Sequence, residues 1–150
     1  MKVIDKTNII TESVSQALEK IAFFEAVPPM EDIPDPQDIL VAETDFAGSI
    51  SGKIQIAAAR EFIKEFAENM SGIEDLTDQQ HEDALKELAN ITCGLVLPML
   101  AESQKEEFDM KVPCLTDLSP PKWQDYVAEK DSVLLEVEGH PLCVRLQLKQ

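Results

Sequence analysis

The sequence is poor in positive charge. Thirteen Lys and Arg stand against twenty-nine Asp and Glu, a formal net charge of −16 at pH 7. A surface that acidic repels phosphate backbones and anionic lipid, so nucleic acid and membranes make poor partners. It suits a basic patch on another protein, or plain solubility, and solubility is the simpler account of most of these carboxylates. Aromatics are also scarce, at 5%. Leu, Ile, Val and Ala must therefore fill the core that an apolar content of 44% allows. Cysteine occurs three times, as Cys93, Cys114 and Cys143, in apolar surroundings and never as CxxC. That odd number reads as buried, reduced thiols of a cytosolic protein. The two histidines, His81 and His140, are far apart and lack Cys/His spacing partners. This argues against zinc, and no histidine is placed as a base for Cys93. There is no P-loop and no GxGxxG, hence no support for nucleotide binding. The N-terminus "MKVIDKTNII" has no apolar h-region, and no apolar run is long enough to span a bilayer. The expectation is one cytoplasmic domain over residues 1–150.

Apolar residues recur at helical spacing from Thr7 to Glu25 (Ile10, Val14, Ala17, Leu18, Ile21, Ala22, Phe24), which predicts a first helix. "VPPMEDIPDPQ" follows, with four prolines in eleven residues, and reads as an extended connector. Two β-type runs around "GSISG" predict a hairpin, and a second helix runs from about Arg60 to Met70, stopped by Gly72. Thr77 with Gln80 forms a capping box for a third helix. "EFDMKVPCL" looks like a strand. "TDLSPPKWQDYVAEKD" looks like a loop, whose Trp123 and Tyr126 serve either as an interface anchor or, more simply, as a cap on the core. "SVLLEVEGHPLCVRLQLKQ" is a second hairpin turned by "EGHP", with His140 at the surface. The sum is an α+β two-layer sandwich: three helices on one face of a mostly antiparallel sheet of about five strands.

The third helix, which includes "DALKELANITCGLVLPML", carries a polar stripe. At about 100° per residue, Leu85, Leu88, Ala89, Thr92, Leu95, Val96 and Met99 share one arc. Asp83, Glu87, Asn90 and Gly94 share the opposite one. Asn is a poor residue for a helix interior because its amide competes for backbone hydrogen bonds. Gly94 costs roughly 1 kcal/mol relative to Ala. Two explanations of the glycine stand: it relaxes the clash between the Pro98 ring and its own carbonyl, or it lets another backbone come close. Periodicity alone makes the Glu–Asn pair ordinary solvated surface.

The spacing says more. Asp83 precedes Glu87 by four, Asn90 follows Glu87 by three, and Pro113 follows Asn90 after 22 intervening residues. This Asp/Ser-x3-Glu-x2-Asn-x22-Pro string resembles the signature of the CheC/CheX/FliY phosphatases of bacterial chemotaxis. The order of elements is similar over nearly the whole chain, including the Gly/Ser-turned hairpin "GSISGKIQIA" and the C-terminal hairpin. Of the three asparagines (Asn8, Asn69, Asn90), only Asn90 has a glutamate three positions before it. A single motif resembles CheX rather than the duplicated CheC arrangement.

The resemblance implies a homodimer with one site per subunit. It implies, as substrate, the aspartyl phosphate of a phosphorylated CheY-like response regulator. No cofactor of its own is implied, the metal being expected on the regulator. Asn90 is then the residue that positions the attacking water: its amide both accepts and donates, and it carries no charge to repel phosphoryl oxygens. Glu87 pairs with the regulator's active-site lysine, a charge-assisted bond worth on the order of 1.5–3 kcal/mol. Asp83 takes a peripheral electrostatic or helix-start role, and Pro113 ends or bends the strand beside the helix. The rival reading is a non-catalytic interaction module of a chemotaxis or flagellar switch assembly. Such proteins typically lack the Glu/Asn pair that this chain keeps.

Overall fold

Asp5 starts the first helix by accepting a hydrogen bond from the Asn8 backbone N–H at 3.1 Å. This is a computed structural model that describes residues 4–30, 32–103 and 105–149. Outside them lie Met1–Val3 of the N-terminal stretch, Glu31 of the proline-rich connector, Gln104, and Gln150 at the end of the last hairpin. Helix α1 spans Lys6–Ala22, three residues short of the expected end. Phe23 takes the left-handed conformation, and the N–H groups of Phe23 and Phe24 close back on Glu19 and Leu18. Periodicity counts Phe24 as helical. The reversal instead turns its ring onto Phe62 and Phe66, at centroid distances of 6.1 and 6.3 Å.

The proline-rich connector contributes only a short edge strand, β1 (Ala26–Val27), paired with the end of β6 (Ser132–Val137). The first hairpin pairs β2 (Ile39–Ala47) with β3 (Ser51–Ala59), in register from Ile39↔Ala59 to Phe46↔Gly52. Gly52 is there for space. A Cβ on it would run into the Gln147 carbonyl of the next strand and the Phe46 ring. Helix α2 (Arg60–Ser71) follows without a loop, and α3 spans Asp78–Leu100. The strand expected at "EFDMKVPCL" is two strands, β4 (Asp109–Met110) and β5 (Cys114–Leu118), both antiparallel to β2. Pro113 has no N–H to give to a ladder, so pairing stops and restarts around it.

The second hairpin joins β6 to β7 (His140–Lys149). Its two turn residues, Glu138 and Gly139, both have positive φ, as a tight right-twisting hairpin requires. The sheet runs β1-β6-β7-β3-β2-β4, with β5 also on β2.

Helices α1, α2 and α3 cover one face of this sheet. The main core lies between, with Ile10, Leu18, Phe62, Phe66, Leu85 and Leu88 meeting Ile54, Ile56, Leu142 and Leu146. The α+β class is as expected, with seven strands and four α-helices among the described residues. The added helix, α4 (Trp123–Ala128), lies in the stretch expected to be loop, and it covers the other face. There Trp123, 2% exposed, packs on Ile39, Val41, Ala57 and Cys143. Short helices without caps or long periodicity escape a pattern reading. The odd-numbered residues Ile39 and Val41 already point to a second buried face.

Candidate functional site

Helix α3 carries the polar stripe. Its start is fixed reciprocally: Thr77 Oγ1 accepts from the Gln80 N–H at 3.1 Å, and Gln80 Oε1 accepts from the Thr77 N–H at 2.8 Å. The helix packs against α1, α2 and the sheet, so one broad side is buried, including Leu85, Leu88, Ala89, Cys93, Val96 and Leu97. The buried arc is rotated slightly from the expected one. Cys93 is fully enclosed, while Leu95 and Met99 are only half-buried. Asp83, Glu87, Asn90 and Gly94 are all exposed, on one ridge, as the periodicity predicts. Gly94 has nothing within 4 Å of where a Cβ would stand, so packing within the chain does not require it.

The ridge faces the break between β4 and β5. Asp83, Glu87, Asn90 and Pro113 line one shallow, open cleft of about 340 Å³, together with Lys86, Met110, Lys111 and Val112. The four residues of the spaced string are thus brought to one place, although Pro113 is far from the others in sequence. The wall opposite the helix is pinned to β2. The Lys111 N–H donates to the Asp45 carbonyl at 2.9 Å, and the buried Thr44 hydroxyl donates to the Lys111 carbonyl at 2.7 Å. A larger cleft of about 620 Å³ adjoins past Gly94, walled by Leu97, Pro98, Phe108 and Met110.

Among the described residues, the side chains of Glu87 and Asn90 have no hydrogen-bond or ion-pair partner, whereas Asp83 accepts from Gln79 Nε2 at 2.9 Å. Asn69 makes the contrast, since its amide is committed to the Ala22 carbonyl. The cleft therefore presents a free amide and a free carboxylate one helical turn apart on a rigid support. That set can orient a water and accept from a cation. It has no hydroxyl, thiol or imidazole to act as a nucleophile. Cys93 is sealed in the core, where burial pushes its thiol up to about 11. No group of three or more His, Cys, Asp or Glu side chains placed to share a metal ion occurs among the described residues.

Sequence reasoning missed Lys86, Lys111 and Val112. Lys86 was legible, lying four positions before Asn90 on the flank of the same stripe. The other two are placed by a break that only Pro113 hinted at. Two further expectations need correction. Cys114 is exposed rather than buried, because it stands opposite Glu43 on the part of the second face that α4 does not reach. His140 is half-buried rather than at the surface, with Nε2 2.8 Å from Glu65 Oε2 and its ring edge-on to Phe62. Trp123 and Tyr126 cap the second face. Tyr126 donates to Gln55 Oε1 at 3.0 Å under the Arg145 guanidinium, and burial raises its hydroxyl pKa.

No helix among the described residues is long and apolar enough to cross a membrane. No curated protein matches the sequence. Solved structures match closely in shape. The chemotaxis protein CheX of Vibrio vulnificus superposes with a TM-score of 0.72 at 16% identity, over 99% of this chain and 100% of that one. The CheX of Borrelia burgdorferi, crystallised as a CheX–CheY–BeF3–Mg2+ complex, gives 0.63 at 19%, over 99% and 100%. FliY of Thermotoga maritima gives 0.58 at 17%, over 99% and 91%. At such identities these likenesses establish the fold. The family model described as "Chemotaxis phosphatase CheX" matches residues 40–135, from the start of β2 to β6, and so takes in the whole ridge and the β4–β5 break. The chain belongs to the CheX family of chemotaxis phosphatases.

Proposed function

We propose that the protein hydrolyses the aspartyl phosphate of a phosphorylated CheY-like response regulator. The observation that carries this reading is the cleft in which Asp83, Glu87, Asn90 and Pro113 meet while Glu87 and Asn90 stay unpartnered. Family membership and the CheY-bound state of the Borrelia relative support it. When α3 lies across the regulator's phosphorylation site, the Asn90 carboxamide oxygen accepts from a water and its NH2 donates to a phosphoryl oxygen. The water oxygen bonds to phosphorus as the bond from phosphorus to the aspartate oxygen breaks. Inorganic phosphate leaves, and the carboxylate is regenerated. Such a transition state needs position and charge balance more than covalent help. The divalent cation that neutralises phosphoryl charge belongs to the regulator. Glu87, a turn before Asn90, pairs with the regulator's active-site lysine and sets the docking register. The reaction takes place in the cytoplasm, and the chain acts as a homodimer with one site per subunit. Light scattering then returns a mass twice 16.7 kDa.

The test is phosphate release from the CheY-like regulators of the same genome, each charged with a small phosphodonor. The wild type accelerates release from at least one regulator. Asn90→Ala reduces release to the regulator's own rate with the fold intact, and Glu87→Ala weakens productive docking as well. Full activity in Asn90→Ala would sink the mechanism. Absence of acceleration by the wild type on every regulator would favour the non-catalytic interaction module.

A further inference from the structure

We infer that Val112 is a docking anchor of the cleft, seated in an apolar socket beside the phosphoryl site of the response regulator. The inference rests on the phosphatase reading and adds a positioning residue to it.

Four large hydrophobic side chains stand exposed among the described residues: Phe23, Met30, Ile73 and Val112. Only Val112 lines the cleft with Asn90 and Glu87, and it is 86% exposed. Single exposed apolar residues are common and need no explanation. This one is held out by a dedicated arrangement. Lys111, just before it, is clamped at both backbone groups, its N–H on Asp45 and its carbonyl on the Thr44 hydroxyl. Thr44 is one of three buried polar side chains among the described residues, at 1% exposure, and its hydroxyl is spent on this contact. On the other side, the Pro113 ring confines Val112 to extended backbone, and valine itself is stiff at χ1. The result is an apolar knob with little freedom to lose on binding, which is what makes an anchor effective.

Charge indicates what can cover it. On a chain of net charge −16, the cleft is locally balanced: Asp83 and Glu87 face Lys86 and Lys111. Neither lysine has an ion-pair partner among the described residues. A surface bearing a phosphoryl group and its carboxylates can therefore approach here without the repulsion it meets elsewhere, with two free ammonium groups at the rim. The occupant that fits is an anionic phosphorylation site with an apolar neighbour.

The experiment measures steady-state phosphate release from whichever regulator the wild type accelerates, comparing Val112→Ser and Val112→Leu. Val112 is exposed, so both variants keep the wild-type thermal transition. Val112→Ser raises KM about tenfold, the step that 1.4 kcal/mol makes, with kcat within twofold. Val112→Leu restores the wild-type KM. An unchanged KM in Val112→Ser, or a fall in kcat with KM unchanged, overturns the anchor and leaves the role of Asn90 standing. Failure of the wild type to accelerate any regulator removes both readings.

Discussion

Replacing Gly94 by alanine separates the two explanations of a glycine in the middle of α3. The residue is exposed, sits on the ridge beside Asn90, and is not among the glycines with positive φ. Its backbone is thus one that any residue adopts. A Cβ built there meets nothing within 4 Å, so the substitution brings no clash inside the chain. What remains is the conformational entropy of glycine in the unfolded state, worth roughly 1 kcal/mol in an exposed helix interior. For a domain of this size, that corresponds to a rise in Tm of about 2–4 °C. The opposing term is Pro98, whose ring presses on the Gly94 carbonyl and removes the hydrogen bond that carbonyl would accept. If glycine is there to relax that strain, alanine destabilises instead. The assay is a circular-dichroism melt paired with phosphate release. The expected outcome is a higher Tm and a raised KM, because on the proposed docking the added methyl stands between α3 and the partner's backbone. An unchanged or lower Tm refutes the reasoning and assigns Gly94 to Pro98. A higher Tm with unchanged KM refutes the close approach.

Trp123→Ala empties the centre of the second face and costs about 3–5 kcal/mol by chemical denaturation. Activity per folded molecule is retained, since the cleft lies on α3; a loss of kcat in the folded fraction would tie α4 to the site. The Lys6 ammonium, 2.8 Å from Asp131, holds that carboxyl below its usual range, chiefly through the hydrogen bond between them. A depressed carboxylate stabilises above its unfolded pKa of about 3.9, and the effect is lost as pH falls through the lower folded value. Lys6→Met is therefore less stable than the wild type near neutrality, and the gap in urea midpoints narrows in acid; a gap that widens in acid contradicts the pairing.

Most of the fold is legible because its elements are long and regularly patterned. The alternation of Leu142, Val144 and Leu146 and the three-to-four spacing in α3 leave little choice of which face is buried. The capping box at Thr77 and Gln80 marks the helix start to the residue. What escaped was decided by tertiary context. The end of α1 depends on Phe23 accepting a left-handed backbone so that Phe24 can join Phe62 and Phe66. The second buried face depends on a six-residue helix carrying one tryptophan. Cys114 is apolar by type, yet lies exposed on an edge strand, on the part of the second face that α4 does not reach. At the site, periodicity brings together Asp83, Glu87 and Asn90 but makes them look like ordinary wet surface. Their spacing to Pro113 carries the information, and only the fold explains that spacing: the intervening residues finish α3, cross back, and return to β2 beside the same ridge. Lys111 and Val112 have no signal of their own, since neither periodicity nor spacing singles them out.

The placement of the ridge on α3 fits the chemistry proposed for it. An amide that orients water contributes little unless it is held still, because each freedom it keeps must be frozen on binding. Asn, Gly and Pro are poor choices for an isolated helix, and α3 contains all three in its second half. It tolerates them because its stability comes from burial rather than propensity: α3 packs on both other helices of its layer and on the sheet, and Leu85, Leu88, Ala89, Cys93 and Val96 are fully enclosed. The opposite wall uses a different device, in which a proline break and a buried threonine hydroxyl replace a regular strand. A surplus of packing on one side of the helix thus supports residues on the other side that add nothing to the core. The ridge is the part of α3 where substitutions toward better helix formers should raise stability while lowering activity.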